Sequence, residues 1–490
     1  MSLIVEARAH KESCLVASLH CGRRTIGVRE SGTEGLPLGW VWVGGRSAPG
    51  VISMKVEFAE NYRNTNIREE AERLLKPCVQ CGQCTFICPT FRLLDDEWDG
   101  PRGRIFLIKQ MLEGRMPGSA GLLPAYDLKT LDKDTIAANL RERLDRCLTC
   151  RSCEASCPHE VRYGQLLDIG RELAEREAPR PWKERLMRRG VRATVTHRRL
   201  FAALLSIGQA LRRILPTYLQ SRVPQRHPAG LWPARSHARR MLVWQGCVQP
   251  ALAPHINAAA ARVLDRFGVQ LLGVSGGGCC GALSQHMAAT EEARTLMRRN
   301  VDALWPHIEG GIEALVLTAS GCGAFFREYG YLLKDDSQYQ EKARRISALT
   351  RDISEIITDV WKDGERVLPV PLRIRRIVFQ ASCSLQHSQR LNSVVEKILQ
   401  RAGFKLMPVQ YGFMCCGAAG AYSILQRKNA EALRQMKLDT LMATRPEAIA
   451  TANIGCLTHV AAASSVPVRH WIEFLDEAFA AADIQPAIQD

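Results

Sequence analysis

Two short runs of cysteine carry the most specific chemistry in the chain. CVQCGQCTFICP supplies Cys78, Cys81, Cys84 and Cys88, and CLTCRSCEASCP supplies Cys147, Cys150, Cys153 and Cys157. Two-residue gaps let three thiolates reach three corners of one iron–sulfur cubane, and the fourth cysteine, followed by a proline that turns the chain away, ligates the neighbouring cluster. The expected ligand sets are therefore crossed. Cys78, Cys81, Cys84 and Cys157 would surround one [4Fe–4S] cluster, and Cys147, Cys150, Cys153 and Cys88 the second. Paired zinc sites are the competing reading, but zinc motifs seldom run this long or end in Cys-Pro. Arg102 and Arg104, in DGPRGR, follow the first run closely. A cation beside a cluster would raise its reduction potential, because reduction adds negative charge; a solvated loop is the plainer alternative.

A second set of cysteines recurs at a fixed interval. Cys247, Cys279, Cys280 and Cys322 return as Cys383, Cys415, Cys416 and Cys456, at offsets of 136, 136, 136 and 134 residues. The surrounding elements repeat as well: apolar strands MLVWQ and RIVFQ, then VQLLGV and FKLMPV, then ALVLTA and AIATAN, with helical stretches between them. Each unit reads as βαβαβ, which implies a parallel sheet with right-handed crossovers. Every repeat cysteine lies just after a strand, at the edge where sites form in such sheets. Four thiolates per unit could hold a cubane, hold zinc, or form disulfides; vicinal cysteines are poor disulfide partners, and matched spacing favours metal. The second unit adds His387, four residues after Cys383, and His459, three after Cys456, where the first unit has Ala251 and Phe325. These imidazoles are candidates to serve an electron acceptor that also takes protons, against the alternative of ordinary buried hydrogen bonds.

The elements that hold these residues divide the 490-residue chain into five parts. Residues 1–53 have no sustained periodicity, are expected to be a disordered extension or a mis-assigned start, and contain Cys14 and Cys21 without CxxC partners. Residues 54–178 form a helical, cysteine-rich domain, with helical periodicity in RIFLIKQMLEG and VRYGQLLDIGRELAER. Residues 179–240 are a basic connector whose middle, Arg198–Arg222, reads as a basic amphipathic helix. The two repeats occupy 241–368 and 369–482. The fold class is thus α+β multidomain, a helical two-cluster ferredoxin-type domain followed by a tandem α/β repeat.

The formal charge of +16 suggests nucleic acid until it is mapped. Residues 180–240 hold 15 Lys/Arg against one acid, Glu184, so the excess is local. Four clusters at roughly −2 each would cut the total to about +8, and the connector lacks the interleaved aromatics that stack bases. Tight CxxC clusters rather than scattered cysteines favour a reducing compartment. No stretch reaches the 18 or so uninterrupted apolar residues of a membrane span. GxGxxG after a strand, GxxxxGK[ST] and GxSxG are all missing, so no flavin, nicotinamide or nucleotide site is expected. One-electron carriers without a two-electron cofactor must be fed by a partner that has one.

Together the two ferredoxin motifs, the CC repeats, DGPRGRIFLIKQMLEG, TASGCGAFFREYG, TANIGC and VRHWIE resemble the glycolate oxidase iron–sulfur subunit family, from about Met54 to about Ala478. Iron–sulfur subunits of anaerobic glycerol-3-phosphate dehydrogenase and heterodisulfide reductase share the layout. The resemblance implies a complex with two flavin-type dehydrogenase subunits that oxidise glycolate to glyoxylate. It also implies a membrane acceptor such as quinone, and a cytoplasmic protein peripheral on the inner membrane. Lactate, glycerol 3-phosphate and heterodisulfide are alternative donors. The broader family often ends each repeat in CxxC, whereas Ala319 and Asn453 stand where the first of those cysteines would be. That leaves four ligands per unit, with a single cubane as the simpler expectation than a double cluster and zinc still open.

Overall fold

A computed structural model describes residues 54–63, 65–114, 133–214, 216, 223–362 and 374–484; the expectations for residues 1–53 lie outside them. The cysteine-rich part is helical as its periodicity predicts. Helices α1 (Asn66–Leu75), α2 (Pro101–Leu112), α3 (Lys133–Asp145) and α4 (Tyr163–Glu177) bury Leu74, Ile108, Leu112, Leu144 and Leu166 in one core. Proline at the first helical position starts α2 without losing a backbone hydrogen bond, so Arg102 and Arg104 sit in a helical first turn and not in a loop. Arg104 is 1 % exposed. Its guanidinium donates to the Arg143 carbonyl at 2.7 Å and to Thr90 Oγ1 at 3.1 Å, and it pairs with the fully buried Asp99 at 3.3 Å. Arg143 and Arg146 also reach Asp99. A buried carboxylate needs this many partners to remain ionised.

The connector is more ordered than its composition suggests. It forms α5 (Trp182–Thr196) and α6 (Arg198–Leu211), the latter extended by a 3₁₀ turn over Arg212–Ile214. Part of its positive charge is structural. Arg180 is buried and holds Asp145 at 2.7 and 3.1 Å, along with Glu175 and Glu184, and Arg192 pairs with Glu292 of the first repeat at 2.9 Å. The two helices break at His197, where Thr196 Oγ1 and His197 Nδ1 take up the carbonyls of Arg192 and Ala193. Side chains that bond back onto the last turn compete with its continuation. The single helix expected over Arg198–Arg222 is therefore the second of a pair, and it ends by Ile214 within the described residues.

The repeats give two parallel sheets of the same topology. In the first, β1 (Arg239–Val243), β2 (Val269–Gly273), β3 (Leu315–Leu317) and β4 (Thr350–Asp352) lie in the order β2-β1-β3-β4. In the second, β5 (Arg376–Gln380), β6 (Lys405–Met407), β7 (Ala448–Thr451) and β8 (Val468–His470) lie in the order β6-β5-β7-β8. The six expected strands are present, and each sheet gains a fourth. β4 and β8 are three-residue edge strands, TRD and VRH, too short and too polar for a period-2 signal. Helices α7 (His255–Arg266), α8 (Thr290–Glu309) and α9 (Ser320–Phe326) serve the first unit, and α10 (Arg427–Met442), α11 (Ile454–Ala461) and α12 (Trp471–Ile484) the second.

One apolar core runs through both units, drawing Val243, Ile256 and Val316 from the first and Phe379, Ala450 and Trp471 from the second. His470 crosses the same boundary. Its Nδ1 accepts from the Ile472 amide at 3.2 Å, so Nε2 carries the proton and donates to the Thr318 carbonyl at 2.9 Å. Burial lowers the pKa of His470 to about 4. Between that value and the ordinary histidine range near 6.5, the unfolded chain binds a proton that the folded chain does not, so stability falls as pH falls through this window. His470 alone should account for about 2 kcal/mol of the loss between about pH 7 and 5. Urea unfolding of His470→Gln should therefore show a correspondingly shallower pH slope than the native chain; identical slopes would contradict the assignment.

Candidate metal centres

The first cysteine run curls around a small cavity. Gln80 and Gly82, on either side of Cys81, have φ of +58° and +78°; Thr149 and Arg151, on either side of Cys150, have +53° and +58°. The same left-handed kinks at the same steps of both motifs coil the two loops alike. Alternation of this kind turns successive N–H groups to one side, a geometry suited to sulfur and phosphate anions. The Thr149 amide stands 3.4 Å from Cys147 Sγ. Glycine accepts such a φ freely, but arginine does not. The strain at Arg151 is offset by its ion pair with Glu328, one arm of which is 2.7 Å long, joining this loop to the first repeat.

A cavity of about 30 Å³ is lined by Cys78, Cys81, Cys84 and Cys157, and by Arg102. A second, of about 20 Å³, is lined by Cys88, Cys147, Cys150 and Cys153, and by Arg104. Cys153 also touches the first cavity, so the two sets are adjacent. Burial, then the charges of Cys78, Cys157 and Cys81, push the Cys84 thiol up to about 12. Cys150 and Cys153 are also raised well above the ordinary thiol range, again by burial first. Four crowded, largely buried sulfurs in each set call for a cationic occupant, and the chemistry of both sets fits an iron–sulfur cluster. Cys88 Sγ lies 3.2 Å from the Thr90 hydroxyl, which Arg104 also reaches. Among the neighbouring charges raising Cys150, that of Cys383 comes first, and these residues share a small apolar cluster with Cys415 and Tyr422.

The repeat cysteines all line one larger cavity of about 480 Å³, together with Cys147. Cys247 and Cys383 follow β1 and β5 by a few residues, the CC pairs follow β2 and β6, and Cys322 and Cys456 lie in α9 and α11. The CC turns are matched in detail. The Gly281 amide stands 3.5 Å from Cys279 Sγ, and the Gly417 amide 3.5 Å from Cys415 Sγ. Both glycines have positive φ, and a Cβ on Gly417 would come within 2.6 Å of the Ala430 carbonyl. The third letter of CCG is fixed by both constraints. Cys383 and Cys415 have sulfurs 3.9 Å apart. Hydrogen bonds from its neighbours hold Cys279 below the ordinary thiol range in the first unit, and likewise Cys416 in the second.

The surroundings of the two units differ. Asn300 and Tyr329 hold the first CC turn through its backbone, at 2.7 Å to the Cys279 carbonyl and 2.6 Å to that of Cys280. The second is held by Lys437, 1 % exposed, whose Nζ donates to the Gly412 carbonyl at 2.9 Å. Asn453 spans the units, donating toward Cys456 Sγ at 3.7 Å and accepting from the Gly321 amide at 3.2 Å. His387 and His459 are bonded through Nε2 to the carbonyls of Phe413 (2.9 Å) and Ala430 (3.1 Å). Burial lowers the pKa of both, and neither lines the large cavity. His286 does, with Nδ1 3.4 Å from Asp168, and so do Arg151, Arg171 and Arg188. Arg151 lies inside the second cysteine run, whereas His286, Arg171, Arg188 and Lys437 carry no sequence signature and only the fold brings them to the sulfurs.

Residues 74–161 match the 4Fe-4S dicluster domain, and residues 241–327 and 377–461 each match the Cysteine-rich domain. The chain is 44 % identical over 427 residues to the glycolate oxidase iron-sulfur subunit of Escherichia coli (strain K12), covering 87 % of this chain and 99 % of the relative. It is 26 % identical over 409 residues to a probable glycolate oxidase iron-sulfur subunit of Bacillus subtilis (strain 168), covering 78 % and 87 %. Lactate utilization protein A of the same strain is 22 % identical over 215 residues, 44 % of this chain. A full-length relative at that identity, and sulfur-lined cavities in the matching segments, establish that the chain belongs to the glycolate oxidase iron–sulfur subunit family and is an electron-transfer protein of the [4Fe–4S] class.

Proposed function

We propose that this chain is the electron-transfer subunit of a glycolate-oxidising complex, fed by two flavin-bearing partner subunits and delivering electrons to quinone at a membrane. The observation that carries the reading is the succession of cysteine sets from surface to interior. Cys81 is exposed, Cys150 and Cys153 are buried, and Cys147 belongs both to the second small cavity and to the large one. Cys78, Cys81, Cys84 and Cys157 would hold one cluster, and Cys88, Cys147, Cys150 and Cys153 the other. When bound, the clusters supply one-electron carriage. Arg102 and Arg104 each set a positive charge at one of the two cavities, and the amides of the left-handed loops face the sulfurs. Further iron–sulfur or zinc would be held by Cys247, Cys279, Cys280 and Cys322, and by Cys383, Cys415, Cys416 and Cys456. The large, mainly apolar cavity suits a quinone ring, with His286 and Asp168 to move its protons and His387 and His459 as neutral supports of the second repeat's sulfurs. The chain itself supplies no flavin site in this reading. Lactate as the donor is a second reading, favoured by the similarity to lactate utilization proteins.

The crossed ligand sets give a direct test. Anaerobically purified protein should hold at least eight irons per chain. Cys81→Ser and Cys157→Ser should perturb the same EPR signal, and Cys88→Ser the other. Stoichiometric zinc in place of iron would end the assignment.

The two arginines should separate the centres in a potentiometric titration. Arg104→Met should lower the midpoint of the Cys88-containing centre and leave the other in place, and Arg102→Met should do the reverse. A common shift of both centres in either variant would show a global effect instead.

The order of electron flow is tested in the assembled complex with Cys416→Ser. Glycolate should still reduce the ferredoxin-type clusters while quinone reduction stops. If cluster reduction by glycolate fails and quinone reduction persists, the repeats face the flavin partner instead.

A further inference from the structure

The outer surface of the connector is unlike the rest of the molecule. Ten of the thirteen large apolar side chains that stand exposed among the described residues fall between Trp182 and Trp232. Five of them, Leu200, Leu204, Ile207, Leu211 and Ile214, follow one another at steps of four, three, four and three residues along α6 and its 3₁₀ extension. At about 100° per residue, that spacing keeps all five on one stripe. Ile207 is 56 % exposed and Ile214 78 %. The other side of α6 carries the better-covered Phe201, Leu205 and Gln209. Phe201 lines the large cavity from there, alongside Val191 and Val195 of α5. A helix that packs on a protein normally turns its apolar stripe inward. This one turns it out.

Charge identifies what covers the stripe. Arg198 and Arg199 stand at one end of α6 and Arg213 at the other, and Lys183, Arg185 and Arg189 lie on α5; none of them has an ion pair among the described residues. The one acid of the segment, Glu184, is already held by Arg180. An apolar stripe ringed by cations matches an interface that offers hydrocarbon at its centre and negative charge on every side. A bilayer with anionic headgroups is such an interface, and helices of this composition lie flat in it. No helix among the described residues is long and apolar enough to cross a membrane, and the stripe on α6 is suited to a lateral seat.

We propose that α5 and α6 seat this chain on anionic bilayers. The Leu200–Ile214 stripe enters the acyl boundary, the flanking arginines contact headgroup phosphates, and the wall of the large cavity that contains Phe201 lies against the lipid. This rests on the membrane-acceptor reading above and specifies the surface through which a lipid-soluble acceptor would arrive.

The test uses the full holoprotein and sedimentation with vesicles of phosphatidylcholine, with and without phosphatidylglycerol. Native protein should sediment with the phosphatidylglycerol vesicles and be released about tenfold as salt rises from about 0.05 M to about 0.5 M. The variant Leu204→Glu/Ile207→Glu/Leu211→Glu should lose vesicle binding about tenfold while keeping the native iron content and dithionite-reducible absorbance. Arg198→Glu/Arg199→Glu should weaken binding without touching the stripe. Native-like vesicle binding by both variants would overturn the proposal. So would loss of the partner subunits with vesicle binding intact, which would make this face a protein interface. Failure of glycolate to reduce the clusters of the native complex would instead sink the electron-transfer reading, whatever the vesicles show.

Discussion

Crowded buried sulfur is the constraint on which the rest of this structure depends. Sixteen cysteines of the described chain are free of disulfides, and they gather in crowded sets in which burial and neighbouring sulfurs raise the pKa of Cys84, Cys150 and Cys153. Such sets are stable as thiolates only when iron or another cation shares the space, and the protein adds its own positive groups close by. Arg104 lines the second small cavity, Lys437 lies beneath the second repeat, and backbone amides of left-handed turns stand near Cys147, Cys279 and Cys415. The Asp99 hub is a consequence of the same constraint. Arg104 could not be left buried and unpaired, so Asp99 is buried with it, and Arg143 and Arg146 then stabilise Asp99 from the α3 side.

Much of this was legible because cluster ligation and parallel sheets both leave period and spacing in the chain. The 136-residue offset located both repeats, and β5 falls on RIVFQ residue for residue. What escaped were features without a period. β4 and β8 take their place from backbone pairing to β3 and β7, not from their own three residues. The break at His197 is set by two side-chain hydrogen bonds, which no amphipathic count registers. His387 and His459 stood out because they were the polar differences between the repeats, yet each bonds a backbone carbonyl. His286 follows no cysteine at ligand spacing, and the packing of Ala282–His286 next to α4 brings it to Asp168. Sequence distance hid that pair: 118 residues separate its members.

The two repeats share a backbone but have diverged in charge. Lys437 stands where the 136-residue offset puts Val301 in the first unit, and both are fully buried. Burial lowers the pKa of Lys437 while the four sulfurs of the second unit raise it again, which ties the charge of the lysine to that of its sulfurs. A valine places no such demand on the first unit, whose CC turn is held by the neutral groups of Asn300 and Tyr329. Asn453, in the place of Ala319, adds an amide donor toward Cys456. The second unit thus has a buried ammonium near its sulfurs, where the first has the Arg299 guanidinium acting on Cys279. It is also the unit that adjoins Cys150 through Cys383, Cys415 and Tyr422. The two repeats therefore meet the ferredoxin-type domain differently, the second through the cluster of Cys150, Cys383 and Cys415 and the first through the Arg151–Glu328 and Asp168–His286 pairs.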